Sequence, residues 1–419
     1  MARAWIIWGL SALFMFYKYA IEVSPSVMTQ DLMRTFNING AETGNLAACY
    51  FYAYLIMQIP AGLLLDRFGP KKMTSFAILL AALGTLAFCR ATNLFEASLG
   101  RFLTGAGASF AALNCLKLIA NWFPKRNFAF MVGLMMTLGM LGAVGGQAPL
   151  NAFIQAFHWQ KALEIIAGIG VILAILFWLV VKDRPAHHKE ELLVATRLSL
   201  LESCKRIFKH SQSWTLSIYS GLAFAPISVF GGLWGVPFLK ETFGLSSMVA
   251  AHEVSLVFIG FAAGAPLAGW LSEKLGFRKP IMLWGTLVGL LAITFVLYAP
   301  ITSSVWLGLN LFIFGFSLSA FLLSFTMIRE SHSLGIAATA VGFMNAFNAL
   351  FGALSDPLTG KFLDMGWQGT MVDGARIFPV AAYKAALATL PIFLLLSLIL
   401  LYFIKETYRK EAPMPSSLP

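Results

Sequence analysis

The chain has 419 residues, 58% of them hydrophobic and only 12% charged, with a formal net charge of +11. Soluble domains run at roughly 45–50% apolar and about 25% charged. No soluble fold of this length could hide the surface that 37 Phe and 11 Trp bring, and the bases lie between apolar runs instead of forming one patch interleaved with aromatics, which excludes a nucleic-acid surface.

Runs of about 20 apolar residues, the length that crosses a bilayer as helix, recur along the chain. They predict membrane helices near 4–28, 42–65, 72–90, 95–120, 127–152, 158–181, 213–240, 246–272, 279–299, 302–327, 335–361 and 382–404. The first follows a single base and has no small-residue cleavage site, so it reads as a retained helix, not a signal peptide. Six helices precede a polar stretch at 182–212 and six follow it. The expected fold is therefore an all-α membrane protein of twelve transmembrane helices in two pseudo-symmetric six-helix bundles. It divides into 1–181, a linker at 182–212, a second bundle at 213–405 and a tail at 406–419.

In the linker, "HKEELLVATRLSLLESCKRIFKH" places Leu193, Leu200, Leu201, Cys204 and Phe208 on one helical stripe. A basic amphipathic helix on the inner membrane surface and a solvated tether both fit that pattern. The tail "EAPMPSSLP" has the composition of a disordered segment. Cys49, Cys89, Cys115 and Cys204 show no paired spacing, so neither a disulfide framework nor a zinc site is expected.

The bases also orient the chain. Twenty Lys and Arg, from Arg3 and Arg67 to Lys405 and Lys410, fall on the side of the termini and the linker; seven fall on the other. Positive charge is retained in the cytoplasm, so both termini are expected inside a bacterial inner membrane, in contact with its lipids.

The sequence repeats itself at half length. "GLLLDRFGPKK", starting at Gly62, and "GWLSEKLGFRK", starting at Gly269, align at a constant offset of 207 residues. Both fall in the loop after the second helix of their half. Gly62 and Gly269 are small enough to let another helix approach closely. Asp66 and Glu273 sit at a helix C-terminus, where the helix dipole disfavours an acid, so each needs a partner. Arg67 and Lys274 are adjacent, and the start of a neighbouring helix would also serve. Gly69 and Gly276 suit a tight reversal, and Lys71 and Arg278 anchor the cytoplasmic side.

On these residues the chain resembles the major facilitator superfamily. "GLLLDRFGPKK" is similar to that family's signature loop between helices 2 and 3, except that Pro70 stands where the first trailing base is expected. "GWLSEKLGFRK" resembles the counterpart between helices 8 and 9, and "RFLTGAGAS", with Arg101, Gly105 and Gly107, resembles a helix-4 signature. The likeness covers the whole chain and implies a monomeric secondary carrier that works by alternating access. It also implies that Asp66 helps to lock the outward-facing state against the start of helix 11.

"VSPSVMTQDLM" and "YFYAYLIMQIPAGLLLDRFG" resemble a bacterial nutrient-carrier group that includes phagosomal transporters of intracellular bacteria. That implies amino-acid, peptide or nucleoside cargo, imported with protons. Alternatives are a proton-driven exporter of drugs or metabolites and a carrier of organic anions or siderophores. The drug–proton antiporters carry a Gly-Pro pair in helix 5, but "LGMLGAVGG" has Ala143 there, which counts against export. A receptor-like sensor would need a soluble signalling domain, and an enzyme would need a catalytic constellation; the sequence shows neither, and no cofactor is expected.

A charge within the bilayer costs at least ~2.5–3.5 kcal/mol, so each intramembrane ion needs a reason. Lys18 and Glu22 share a face of the first helix. One reading gives them substrate and proton; the other makes them a self-neutralising pair. Arg101 is a binding or coupling candidate by the same rule, or a structural partner of a carboxylate. Glu253 reads as the only acid well inside a helix of the second half, a runner-up proton carrier. Lys117 is expected to snorkel. Tyr50, Tyr54 and Gln58 on helix 2, and Asn345 and Asn348 on helix 11, offer polar groups to a ligand or to other helices. "FGGLWGVPF", with Trp234 and Pro237, predicts a bent helix 7 and an outer gate.

Overall fold

The computed structural model describes residues 2–124, 127–183 and 200–408. Met1, Lys125, Arg126, Leu193 of the predicted stripe and the tail from 409 lie outside the described residues. The chain is a multi-pass, all-α membrane protein. Ten segments are long and apolar enough to cross a bilayer. One of them, Phe130–Val180, has 51 residues, which at 1.5 Å per residue is more than twice the ~30 Å of hydrocarbon. It breaks at His158, where the backbone takes φ 62 and ψ 158, and so counts as two crossings. Adding the apolar helix Leu334–Met365 makes twelve among the described residues.

In chain order the crossings are α1 (Ala2–Val23), α2 (Gly40–Phe68), α3 (Pro70–Arg90) and α4 (Leu94–Ala108 continued by Phe110–Trp122). Next come α5 (Phe128–Gly145 and on to 157) and α6 (159–180). The second half has α7 (Ser211–Val229, a π-turn Phe230–Trp234, then Gly235–Phe243), α8 (Ser247–Leu275) and α9 (Lys279–Tyr298). It ends with α10 (Ser304–Leu318 through Leu323–Glu330), α11 (Leu334–Met365) and α12 (Val380–Leu387 then Thr389–Phe403). The last two are joined by a two-stranded hairpin, Met371–Val372 with Ala375–Arg376. "Near face" denotes the side of residues 66–72, 183, 273–279 and 408, and "far face" the opposite side.

The eleventh helix, expected over 335–361, runs Leu334–Met365 as α11, with Pro357 inside it. A proline that ends a helix in water is tolerated in a membrane, where neighbouring helices satisfy the backbone it frees.

Glycine sets the helix spacing. A Cβ on Gly142 would stand 2.1 Å from the Phe16 carbonyl oxygen, and one on Gly146 2.5 Å from that of Ala20, so the glycine run of α5 lets it lie directly on α1. Gly105 of α4 packs in the same way on the Tyr50 carbonyl of α2. These contacts hold α1, α2 and α4 close around their charged residues.

Both repeated loops turn on a glycine with positive φ, though with different ψ: 155 at Gly69 and 28 at Gly276. Gly69 (φ 86) and Gly276 (φ 72) take left-handed conformations that only glycine adopts freely. Each half then caps the start of its third helix with an acid from beyond its sixth. Asp183 accepts from the Lys71 amide at 2.6 Å, and Glu406 accepts from the amides of Arg278 and Lys279 at 3.0 and 2.9 Å.

Leu200–Lys209 is helical. Ile207 is buried, and the Phe208 ring packs on Trp214 of α7 and Phe343 of α11. This end of the linker docks on the second half.

Candidate functional site

The densest group of buried charge lies between the halves, where α1, α2, α4 and α11 converge. On α1, Lys18 Nζ is 2.5 Å from Glu22 Oε2, both side chains less than a tenth exposed. Three tyrosines surround the ammonium: its distances to the ring centroids of Tyr19, Tyr54 and Tyr50 are 3.7, 5.1 and 6.0 Å. Tyr50 and Tyr54 stack on one face of α2 at 6.2 Å. A desolvated cation over aromatic faces gains up to ~2 kcal/mol, so this cage helps to hold Lys18 charged where water is scarce.

Arg101 of α4 is 2% exposed. Its Nη1 and Nη2 donate to the carbonyls of Ile21 and Glu22 at 2.9 and 3.3 Å. Those carbonyls belong to the last turn of α1, whose acceptors have no partner within the helix and attract a cation. Arg101 thus fixes the end of the helix that carries Lys18 and Glu22. Its Nε has no hydrogen-bond partner in the structure, and its guanidinium lies 5.2 Å from the Tyr50 ring. The Tyr50 hydroxyl is buried beside the Glu22 carboxylate. The Arg101 Nε is an open position for a polar ligand.

The sequence reading missed the fourth charge. Asp356 of α11, 2% exposed, lies within electrostatic reach of both Arg101 and Glu22. Glu253 is therefore not the only acid well inside a helix of the second half: Asp356 already lay within the predicted span 335–361 and was passed over. The intramembrane-charge rule that found Lys18 would have found it too.

Glu253 stands apart. Its Oε1 accepts a short hydrogen bond from Ser304 at the start of α10, and a Cβ on Gly308 would lie 2.7 Å from its Oε2. A carboxylate is favourable at a helix N-terminus, which accounts for Oε1, while Oε2 is buried with no hydrogen-bond partner among the described residues. Of the uncharged candidates, Tyr50 and Tyr54 join the cluster. Gln58 continues their face towards the near side, buried with its amide nitrogen unpartnered. Asn348 accepts from Ser220 at 2.8 Å, within the second half, while Asn345 is half-buried nearby on α11.

Trp234 and Pro237 are fully packed around the π-turn of α7. The Trp234 indole donates to the Asp356 carbonyl at 3.3 Å. Gln147, in the break of α5, joins this turn to the other half: it accepts from Ser26 at 3.0 Å and donates to the Gly231 carbonyl at 2.7 Å. Nothing in its local sequence marked it.

The near-face loops bond inside their own halves. Asp66 pairs at 2.8 Å with Lys117, which also donates to the Leu65 carbonyl at 2.7 Å. Lys117 does not snorkel to the headgroups; it holds the end of α2. Arg278 makes a two-armed pair with Glu330 and reaches Ser272. Arg67 lies over Phe68 and Lys274 over Trp270; the Glu273 carbonyl accepts from the Tyr408 hydroxyl. The close approach expected at Gly62 and Gly269 is absent among the described residues: none of them lies within 4 Å of either missing Cβ.

The hydrogen bonds that cross between described residues of the two halves lie towards the far face. Asp364 of α11 accepts from the amides of Gly40 and Ala41, at 2.9 and 2.8 Å, and is paired with Arg376 at 3.1 Å. Lys240 donates to Gln30 at 2.8 Å.

The family model for the Major Facilitator Superfamily matches residues 8–356 and 235–415. A gallate transporter of Pseudomonas putida is 25% identical over 420 residues, covering 93% of this chain and 92% of that protein. A probable galactarate/D-glucarate transporter of Escherichia coli (strain K12) is 22% identical over 415 residues, covering 90% of each. Among solved structures, a bacterial homologue of the human lysosomal transporter Spinster, inward-facing and unoccupied, superposes with TM-score 0.81 at 18% identity, covering 96% of this chain and 97% of that one.

Proposed function

The chain belongs to the major facilitator superfamily as a non-enzymatic secondary transporter, and we propose that its cargo is a small organic anion, imported with protons across the bacterial inner membrane. The sequence alone put amino-acid, peptide or nucleoside cargo first and organic anions among the alternatives. One observation reverses that order: two buried cations, Lys18 of α1 and Arg101 of α4, both approach the Tyr50 ring, at 6.0 and 5.2 Å. Arginine and lysine are the natural partners of a carboxylate, and aromatic faces suit a ring or a carbon backbone. The named substrates of the two relatives above, gallate and galactarate/D-glucarate, are carboxylic acids, which supports the same reading.

The coupling follows from charge balance. In this arrangement Glu22 neutralises Lys18. A substrate carboxylate can take Lys18 only if Glu22 gives it up, and a proton on Glu22 makes that exchange neutral. Without the proton, two anions would compete for one ammonium at a depth where an unpaired charge costs several kcal/mol. Substrate and proton therefore bind as a pair. Arg101 stays on the α1 carbonyls and offers its free Nε to the same anion. The two halves then rock about this site, with the repeated loops on the cytoplasmic side closing the near end once the far end has opened.

The test is uptake into proteoliposomes with an imposed inward proton gradient, using D-glucarate, D-galactonate and gallate, with dipeptides, nucleosides and lipophilic cations as controls. Accumulation of a carboxylate sugar or aromatic acid, lost in both Lys18→Gln and Glu22→Gln, is the expected result. Uptake of dipeptides or nucleosides alone would restore the first reading of the sequence, and movement of lipophilic cations alone would make the protein an exporter.

A further inference from the structure

We propose that Asp356 of α11 is a second proton-binding site, one that must be occupied for the far end of the protein to close. The inference deepens the proton-coupled reading above and rests on it for its place in the cycle, but its test needs no substrate. Glu22 and Asp356 belong to different halves, so the two protons have different tasks: one accompanies the cargo, and the other conditions the joint between the halves.

The argument begins with how the residue is clamped. The Asp356 carbonyl accepts from the Trp234 indole of α7. The same carbonyl presses on α2 of the other half, where a Cβ on Gly44 would stand 2.3 Å from its oxygen. Asp356 therefore sits in the seam between halves, and far-end closure carries its side chain out of water. Once there, its Oδ1 has no hydrogen-bond partner. An unpartnered carboxylate oxygen at this depth is expensive when charged and much less so when neutral.

The surrounding charges do not supply a fixed counter-ion. From α4, Arg101 attracts a negative charge on Asp356, but its guanidinium already donates to the two α1 carbonyls. From α1, Glu22 repels it, and from α2 Tyr52 is the other titratable group in reach. The packed face of α7 presents Trp234 and Ser228, both uncharged, and the charges of that helix, Lys240 and Glu241, lie at its far end. Asp356 thus receives part of one cation and the repulsion of one anion. A proton, gained from far-side water while the seam is open, lets the side chain be buried; its release requires the seam to part again.

The measurement is a distance between spin labels at Thr35→Cys and Lys361→Cys, both exposed at the far face, in an otherwise cysteine-free protein in lipid nanodiscs without substrate. With Asp356 present, the short-distance population is expected to dominate at low pH. Above the site's titration point the ratio of short to long should fall by about tenfold per pH unit, the slope for one linked proton. In Asp356→Asn the short distance should persist at all pH, while Glu22→Gln should keep the response. If Asp356→Asn responds to pH as the parent does, or if the response disappears with Glu22→Gln instead, the proposal is wrong. Should Asp356→Asn not fold, infrared difference spectra of the parent and Asp356→Glu decide it. A protonated-carboxyl band that shifts with the substitution and vanishes as the seam opens supports the site, and its absence overturns it. A pH-dependent seam in a protein that carries no organic anion would leave this inference standing and remove the cargo assignment.

Discussion

At the far end, α2 and α11 meet backbone to backbone; at the near end, the same two helices leave their glycines facing open space. A Cβ on Gly360 would stand 2.1 Å from the Gly40 carbonyl oxygen, and Asp364 reaches across to the amides that begin α2. By contrast, Gly62 on α2 and Gly342 on α11, like Gly133 on α5 and Gly269 on α8, have nothing within 4 Å. The apolar core divides in the same way. Far-side residues of the first half, such as Met28, Leu32 and Leu46, belong to one continuous core with the second half, while the near side of the first half forms a cluster of its own. Glycine at a helix surface is useful where another helix touches it, so the unoccupied set marks contacts of a different arrangement. On the proposed reading, the two ends are alternatives of one joint.

That comparison can be broken most severely at Gly360. A valine there collides with the Gly40 carbonyl, and overpacking of this kind costs ~1–3 kcal/mol, up to ~100-fold in population. Gly360→Val should move the protein towards the far-open arrangement, read as a longer Thr35–Lys361 label distance; an unchanged distance would mean that the seam is not held by this contact. A smaller effect is expected from Asp364→Ala, which removes the acceptor of the Gly40 and Ala41 amides at the start of α2 but leaves its Asn39–Glu42 capping box in place. Loss of a helix cap costs ~0.5–2 kcal/mol, so the same distance should shift by roughly 2- to 30-fold in population.

Near-end changes should leave that joint almost untouched. The Asp66–Lys117 pair is partly solvent-exposed, and such pairs contribute about 0–1 kcal/mol. Asp66→Asn should therefore barely alter the melting temperature or the far-end distance of the empty protein, yet slow transport if the loop is needed when the near end closes. The smallest effect is at Glu406. Burial works against its charged form, but the amides of Lys279, Tyr408, Arg278 and Thr407 outweigh it and hold its carboxyl below the usual value of 4.5. A carboxylate with a lowered pKa contributes stability that is fully present above its unfolded value and is lost as pH falls through the folded one. The difference in melting temperature between the parent and Glu406→Gln should be constant above about pH 4.5 and shrink below it; a difference that grows on acidification would contradict the capping role.

Much of this was legible in the sequence because a bilayer allows few solutions. Apolar runs of the right length must be helices, so the twelve crossings could be read directly. The offset repeat marked both near-face loops, and the intramembrane-charge rule picked out Lys18, Glu22 and Arg101. What was missed depends on facts that no single helix contains. Asp356 is the exception: it lay inside the predicted span 335–361, where the intramembrane-charge rule reaches it. Asp364 and Gln147 matter only because a second half lies against them, and the acids Asp183 and Glu406 cap helices that are distant in sequence. The glycines of α5 were legible as a run, but their task of seating α1 appears only in the packed bundle.

The most direct measurement follows both ends of the joint at once. In one preparation, spin labels at Thr35→Cys and Lys361→Cys report the far end; in another, labels at Lys72→Cys and Arg329→Cys report the near end. Each is recorded empty and with saturating D-glucarate, at low and high pH. Reciprocal change is predicted: conditions that lengthen the far distance should shorten the near one, with no condition in which both are long. Two distances that stay fixed, or that lengthen together, would contradict the claim that the ends are alternatives of a single rocking joint.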